Sequence, residues 1–178
     1  SLQAPGRVRH GGGGMTHLGL LHPDDADLEP VARAFRYCGI DTLVTTDIRK
    51  RIWEKLFLNA SASALTAVLQ VPLGFIAEDP HAWTLATRLI REAVSVANAA
   101  GRDFDAGQVA ADIRRVLLGA REGITSICAD LRDGIPTEVE SISGFIVREA
   151  SRLGMPAQGH ETIAAIIHAL EAKNAGGL

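Results

Sequence analysis

The chain has 178 residues, of which 47% are hydrophobic and 22% charged, and its net charge is −3. This size and composition are typical of one globular domain, or of one domain with a piece of another, that buries a real core. The charge excludes a basic nucleic-acid surface and a polybasic membrane patch, and no apolar run reaches the ~18–20 residues of a membrane helix. No signal segment opens the chain, so we expect a cytoplasmic protein.

Residues 1–46 differ from the rest and predict a small α/β piece. The first predicted element is a hairpin, whose strands lie at Arg7–His10 and Met15–Leu21 and whose turn is the glycine run 11–14. A turn at 22–25 and an amphipathic helix at Leu28–Tyr37, which ends at Gly39, come next. The last predicted element is a strand at Asp41–Thr45. This piece has too little core to stand alone.

From Asp47 onward the pattern is helical throughout, with no strand signal after residue 46. The predicted helices lie at Ile48–Leu69, from Asp79-Pro80 to Gly101, at Asp105–Leu118, at Thr125–Arg132, from the capping-box pattern Thr137–Glu140 to near Gly154, and around Ile163–Leu170. Asp or Thr at a helix start and Gly at a helix end are the usual boundary signals. We therefore expect a multi-helix domain.

The first of these helices contains RIWEKLFLNASASALTAV, which is nearly all apolar or small. Four polar residues, Lys55, Asn59, Ser63 and Thr66, interrupt it at intervals of four, four and three, which places them in one stripe. One interpretation is that Lys55 reaches the surface while the other three satisfy local backbone or solvent. The other is that the stripe lines a cleft and binds a polar ligand.

The presence of a lysine in the stripe makes the interpretation as a ligand-binding cleft worth testing. Lysine occurs three times, at Lys50, Lys55 and Lys173, against fifteen arginines. Arginine stays protonated in proteins, whereas a lysine ammonium can exchange a proton. An ammonium and an amide four residues apart can hold a carboxylate or a carbonyl oxygen, and the ammonium can protonate a developing alkoxide.

Other site patterns are weak. The glycine run lacks the Lys-Ser/Thr of a P-loop, and GxGxxG spacing fails because His17 stands at the sixth position from Gly12. Cys38 and Cys128 lie far apart without CxxC spacing, which favours free thiols over a disulfide or metal site. The six histidines form no metal-ligand cluster, and no serine stands in a GxSxG context. We expect no metal site.

A second polar patch flanks the segment DLRDGIP. Thr125-Ser126 precedes it and Thr137-Glu138 follows it. Glu138 stands in the first turn of its predicted helix, where the helix dipole favours a carboxylate by about 0.3–1 kcal/mol. Because Thr137 and Glu140 are expected to form the capping box, Glu138 is available to point elsewhere.

Two blocks of this sequence resemble the ketopantoate reductase family. IWEKLFLNASASALTAV resembles that family's W-x-K-L-x-x-N-x-x-x-N-x-L-T segment, and TSICADLRDGIPTEVESISGFIVREASRLGMPAQGHETI resembles its T-S-M-x-x-D-…-T-E-I-…-G-…-G-…-P segment. RVRHGGGGMTHLGL and GIDTLVTTDIRKRIW resemble the end of its nucleotide-binding domain and the crossing into its helical domain. The resemblance covers almost the whole chain, and the blocks keep their order and separation.

The resemblance implies an oxidoreductase of pantothenate biosynthesis that reduces 2-dehydropantoate to pantoate with NADPH. It implies an active site between a Rossmann domain and a helical domain of the 6-phosphogluconate dehydrogenase C-terminal type. Lys55 matches the general acid, Asn59 and Ser63 match substrate-binding positions, Ser126 matches a hydroxyl that binds the carboxylate side of the substrate, and Glu138 matches a carboxylate near the cofactor ribose and the substrate.

The expected fold class is therefore mainly α. Residues 47–178 form the helical substrate-binding and catalytic domain, and residues 1–46 form a small α/β, hairpin-containing remnant of the Rossmann domain. Two positions depart from the family pattern, because Ser63 and Leu73 stand where the family usually has asparagine. A different 2-oxo acid substrate is thus compatible with the sequence.

The chain also lacks a GxGxxG turn after a strand and an acidic or arginine residue placed to contact a ribose. We expect either a truncated piece of a longer enzyme or a naturally short relative, which by itself would be inactive. The alternative function is a non-catalytic helical module that dimerises or binds a partner. A homodimer through the helical domain is expected to be possible in either case.

Overall fold

A computed structural model describes residues 2–9, 14–22 and 26–176 of the chain. The chain divides into two compact units, Ser1–Ile52 and Trp53–Leu178. The expected mainly α fold with a small α/β appendage is confirmed. The domain boundary expected between residues 46 and 47 stays a prediction.

The first unit contains two small sheets. In one, β1 (Leu2–Ala4) pairs antiparallel with β2 (Arg7–Val8). In the other, β3 (Thr16–Leu18) pairs parallel with β4 (Thr42–Val44), and α1 (Glu29–Tyr37) connects them. This β–α–β connection is the usual solution for joining parallel strands.

The predicted hairpin between residues 7–10 and 15–21 is wrong. β2 pairs with the preceding strand, since Pro5 and Gly6 (φ +74°) form the tight turn between β1 and β2. Proline followed by a glycine of positive φ is the pattern of a type II turn. The predicted turns at 11–14 and 22–25 lie mostly outside the described residues.

After β4, all regular elements of the described chain are helices, which short loops connect. They are α2 (Ile48–Leu58), a π-helical turn (Asn59–Ser63), α3 (Ala64–Leu69), α4 (Leu73–Glu78), α5 (Pro80–Ala99), α6 (Ala106–Gly119), α7 (Ser126–Arg132), α8 (Val139–Arg152) and α9 (Gln158–Ala175). Within the described ranges no helix is long and apolar enough to cross a membrane. In those same ranges His, Cys, Asp and Glu form no group that could hold a metal ion.

Three of the predicted helix starts are confirmed by their caps. The Asp79 side chain accepts hydrogen bonds from the N–H groups of the first turn of α5, and Asp105 and Thr125 do the same for α6 and α7. Such caps satisfy N–H groups that have no partner inside the helix. At the other ends, Gly101 and Gly154 take positive φ just beyond α5 and α8, as a glycine after a helix commonly does.

α5 is the central helix of the second unit and contacts the π-turn, α4, α6, α8 and α9. Ala86, Ile90, Val94 and Ala97 form one face of α5 and are buried. In α6 and α9, Val116 and Ile166 are 50% and 39% exposed, while their neighbours Leu117 and Ile167 are fully buried. The helical period of 3.6 residues places all of these residues near a buried face, and exposure rises at the edge of that face.

Helix α4 was not predicted. Its first N–H groups are satisfied from far along the chain, because Leu73 N donates to Gly123 O at 3.0 Å and Gly74 N donates to Arg121 O at 2.9 Å. A Cβ at Gly74 would lie 3.1 Å from backbone atoms of Arg121, so glycine permits this close approach. No local capping residue announces such a helix.

Candidate functional site

The polar stripe lies on three consecutive helical segments rather than on one regular helix. Its middle part, Asn59–Ser63, is a π-turn inserted between α2 and α3. Single π-turns inside α-helices occur frequently at functional sites. Nothing in the local residue pattern predicted it.

Burial increases along the stripe. Lys55 is exposed, Asn59 is half-buried, Ser63 is 6% exposed and Thr66 is completely buried. Lys55 therefore lies at the solvent end of the stripe and Thr66 at its core end. The first three residues occupy α2 and the π-turn in the order that the sequence predicted, whereas the fourth has a structural role.

That structural role is a hydroxyl pair between Thr66 and Thr125, whose Oγ1 atoms lie 2.7 Å apart. Thr66 donates its only hydroxyl proton to Ser63 O at 2.8 Å, and Thr125 Oγ1 accepts from Cys128 N at 3.2 Å. Each hydroxyl has one donor proton, so Thr125 must donate to Thr66. The pair joins α3 to the first turn of α7.

Ser126 follows Thr125 directly and is the exposed first residue of α7. The Thr66–Thr125 contact thus brings the start of the second polar patch to the core end of the stripe. The sequence suggested both patches but contained no sign of this contact, because the two residues are 59 positions apart.

Glu138 is exposed at the N-terminus of α8, but the predicted capping box is wrong. The Thr137 hydroxyl accepts from Val139 N at 3.3 Å instead of from Glu140 N. The Glu140 carboxylate binds Arg148 and faces His168 rather than returning to the backbone. Glu138 makes no hydrogen bond or ion pair with Lys55, Asn59 or Ser63.

The five candidate side chains have one property in common. Across residues 2–9, 14–22 and 26–176, none of them has a side-chain hydrogen bond or ion pair with another residue: Lys55, Asn59, Ser63, Ser126 and Glu138. An ammonium, an amide, two hydroxyls and a carboxylate are therefore available to a bound molecule or to water.

We expect Thr125→Ala to lower the free energy of unfolding by about 1–3 kcal/mol, because it removes a helix cap and leaves the buried Thr66 hydroxyl without its donor. Chemical denaturation monitored by circular dichroism measures this. Ser95→Ala is the control, since the exposed Ser95 hydroxyl bonds only to the carbonyl of Arg91 in its own helix. Equal midpoints for the two variants would show that the Thr66–Thr125 pair contributes little.

The fit of a dinucleotide can be tested at the β3–α1 connection, which is the described β–α turn. Asp27 already accepts from Glu29 N at 2.9 Å, and Glu29 is the first residue of α1. The Asp27 carboxylate thus takes the first N–H group of the helix and puts a negative charge where a pyrophosphate would bind, whereas the Glu29 carboxylate is ion-paired with Arg36. The described residues of this connection do not fit the phosphates of NADPH.

A cavity of about 580 Å³ lies within the first unit, and the sequence did not predict it. Its lining comes from residues 20–22, 26–28 and 44–49, which follow the carboxyl ends of β3 and β4. Arg49 Nη2 donates across it to Leu21 O at 2.7 Å. Ligands of parallel α/β sheets commonly bind at this edge.

Comparison with known sequences gives the family. Residues 47–171 match the family model for the C-terminal part of ketopantoate reductase PanE/ApbA. The chain is 31% identical over 172 residues to a 2-dehydropantoate 2-reductase of Archaeoglobus fulgidus, covering 96% of this chain and 58% of that protein. It is 36% identical over 147 residues to the enzyme of the same name from Halobacterium salinarum, covering 82% and 48%. The chain thus spans about half the length of the curated relatives it matches.

Comparison with solved structures agrees with this family assignment. A PanE/ApbA family ketopantoate reductase from Ralstonia eutropha JMP134 superposes with a TM-score of 0.87 at 28% identity, covering 98% of this chain and 57% of that one. D-mandelate dehydrogenase in complex with NADH and anilino(oxo)acetate superposes with a TM-score of 0.89 at 21% identity, covering 98% and 58%, which shows a shared fold. The chain therefore belongs to the ketopantoate reductase family of oxidoreductases, and residues 47–171 are its PanE/ApbA C-terminal part.

Proposed function

We propose that this chain supplies the substrate-binding and acid-catalytic part of an NADPH-dependent reductase of 2-dehydropantoate or a related 2-oxo acid. Lys55 is the general acid, Asn59 and Ser63 bind the substrate, Ser126 binds its carboxylate side, and Glu138 contacts the cofactor ribose and the substrate. The relatives that carry the name 2-dehydropantoate 2-reductase support this reaction class.

The observation that carries the proposal is the stripe. Lys55, Asn59 and Ser63 follow one another on consecutive turns of α2 and the π-turn, and their polar atoms are not used by the described fold. An exposed ammonium beside a half-buried amide suits a substrate that has one end in water and one end against the protein. A row of purely structural polar residues would instead be paired as Thr66 is.

When bound, NADPH supplies the hydride. Reduction of the ketone then leaves negative charge on the former carbonyl oxygen, and the Lys55 ammonium stabilises this charge and donates the proton. Asn59, one turn further toward the core, donates a hydrogen bond that orients the substrate. Since the β3–α1 connection does not fit dinucleotide phosphates, we assign no phosphate contact to it.

We propose a class of substrates and not one compound, because Ser63 and Leu73 replace two asparagines of the family pattern. Ser63 is short and almost fully buried, and Leu73 begins α4 with its N–H already bonded to Gly123 O. A hydroxyl group of the substrate that loses such a partner inside a protein costs about 1–3 kcal/mol. A 2-oxo acid with fewer hydroxyl groups than 2-dehydropantoate therefore fits these positions better.

The test is NADPH oxidation by the complete gene product with a panel of 2-oxo acids that includes 2-dehydropantoate. We expect turnover with at least one 2-oxo acid and none with simple ketones, because the carboxylate is part of what Ser126 binds. Turnover with ketones lacking a carboxylate would contradict the assigned substrate class. Failure with every 2-oxo acid would favour the alternative, a non-catalytic helical module.

Two observations favour a homodimer of the helical unit, whether or not the chain is part of an enzyme. Relatives of this chain include a ketopantoate reductase from Staphylococcus aureus that is described as dimeric, at 26% identity. Apolar side chains are exposed on the second unit, among them Phe75, Val116 and Ile135. We propose that the helical unit forms a homodimer, in the active enzyme as well as in a non-catalytic module.

A further inference from the structure

Two side chains of α9 bind the end of α7 and the loop that follows it. Glu171 Oε1 accepts a hydrogen bond from Thr137 N at 2.6 Å, and Asn174 Nδ2 donates to Leu131 O at 2.6 Å. The Glu171 side chain is only 21% exposed. A partly buried carboxylate is stabilised by hydrogen bonds from N–H donors, so the Thr137 N–H bond links the loop to α9.

Thr137 transmits this contact to Glu138. Its N–H is held by Glu171, and its hydroxyl accepts from Val139 N at 3.3 Å. Glu138 stands between these two residues, and its carbonyl accepts from the N–H groups of Ser141 and Ile142. The backbone of Glu138 is therefore held on both sides, while its exposed side chain has no polar partner among the described residues.

The second oxygen of Glu171 faces His168. His168 Nδ1 lies 2.9 Å from Glu171 Oε2, and Nε2 lies 3.5 Å from Glu140 Oε2. Glu140 is also bound by Arg148, and its carboxylate folds over Gly144, where a Cβ would come within 2.8 Å of it. Both ring nitrogens face carboxylates, and both can donate only in the imidazolium form.

These contacts explain why the pKa of His168 is raised and the pKa of Glu171 is lowered. The hydrogen bond to Glu171, helped by Glu140, raises the pKa of His168 although slight burial opposes it. Partial burial opposes ionisation of Glu171, but the hydrogen bonds from Thr137 and His168 outweigh it and lower the Glu171 pKa. The charged pair is therefore complete between the lowered pKa of Glu171 and the raised pKa of His168, and it is lost as pH rises through the latter.

We propose that Glu171 is a positioning residue for Glu138: it fixes Thr137, and with it the backbone that carries Glu138, while the charge on His168 sets how firmly Glu171 holds. This inference rests on the proposed function, since it takes Glu138 as the carboxylate that contacts cofactor ribose and substrate. Glu171 itself touches neither.

Kinetics of the complete gene product test the proposal. Glu171→Ala should raise KM for NADPH and for the 2-oxo acid by about tenfold and change kcat by less than about threefold, the loss expected for a hydrogen bond to a charged group. The control is Glu161→Ala, an exposed glutamate in the first turn of the same helix. A merely structural Glu171 would lower the melting temperature and leave both KM values unchanged.

A double-mutant cycle shows whether Glu171 acts through Glu138. If Glu171 acts through Glu138, the double variant Glu138→Ala/Glu171→Ala should have nearly the same KM as Glu138→Ala alone. Fully additive effects would overturn the proposal. In wild-type protein KM should also rise as pH rises through the raised pKa of His168, and His168→Gln should flatten that rise.

Nuclear magnetic resonance of this 18.9 kDa chain gives a readout that needs no activity. The amide shifts of Thr137 and Val139 should titrate with His168 and lose this titration in Glu171→Ala but not in Glu161→Ala. Amides that do not titrate would overturn the proposal. A wild-type gene product that reduces no 2-oxo acid would refute the proposed function and this role together, whereas an active enzyme with unchanged KM in Glu171→Ala would refute this role alone.

Discussion

Lys55→Ala in the complete gene product should lower kcat by about 10²–10⁴-fold, which is the usual contribution of a positioned general acid or base. Without the ammonium, the alkoxide that forms on hydride arrival has neither a neighbouring positive charge nor a proton donor. The fold should survive the change, because Lys55 is exposed and makes no ion pair within the described ranges. Steady-state kinetics at saturating NADPH and 2-oxo acid measure the effect, and a thermal melt confirms that the variant is folded.

Lys55→Arg separates the electrostatic role of the Lys55 ammonium from its role as a proton donor. Arginine keeps the positive charge but does not readily release its proton, so kcat should stay close to that of Lys55→Ala. Lys50→Ala is the matched control, since Lys50 is an exposed lysine on the same helix but outside the stripe. Near wild-type kcat in Lys55→Arg would show that Lys55 acts as an electrostatic clamp, and the proton donor would have to be another group.

The helical part of the fold could be predicted because its signals are local. The residues that cap α5, α6 and α7, Asp79, Asp105 and Thr125, stand next to the helices they cap, and the buried faces repeat with the helical period. A single sequence shows such features within a few positions. The resemblance to the family rests on the same kind of signal, since each motif block is a continuous stretch of the sequence.

The features that escaped prediction depend on partners far along the chain. Helix α4 starts where it does because Arg121 and Gly123 accept its first N–H groups. β3 pairs with β4 rather than with its neighbour because α1 brings the strands together. The capping box failed because Glu140 has stronger partners in Arg148 and His168 than the backbone N–H that it was expected to bind.

The candidate site shows the same difference between local sequence patterns and contacts between residues far apart along the chain. Local patterns suggested the candidate residues of the stripe and of the second patch, and their role as a site stays a prediction. The sequence contained no sign of the Thr66–Thr125 hydroxyl pair or of the Glu171–Thr137 hydrogen bond, which join the residues before Ser126 and Glu138 to distant parts of the chain.

This chain alone should not bind NADPH tightly. A dinucleotide is held chiefly by backbone N–H groups at a glycine-rich turn and by the positive end of the following helix. At the β3–α1 connection the helix instead begins with Glu29, and the Asp27 carboxylate accepts the Glu29 N–H. We expect no saturable heat in isothermal titration up to about 100 μM NADPH, inside the range of roughly 1 μM–1 mM in which enzymes bind their substrates.

Two comparisons make this result interpretable. Circular dichroism of the same sample must show a helical protein with a cooperative melt, so that weak binding is not a consequence of unfolding. A 2-dehydropantoate 2-reductase such as that of Archaeoglobus fulgidus, titrated in the same buffer, serves as the positive control. A dissociation constant near or below about 1 μM for this chain would mean that it contains a dinucleotide site of another kind. The cavity bounded by residues 20–22, 26–28 and 44–49 would then be the first place to test, with Arg49→Ala as the variant.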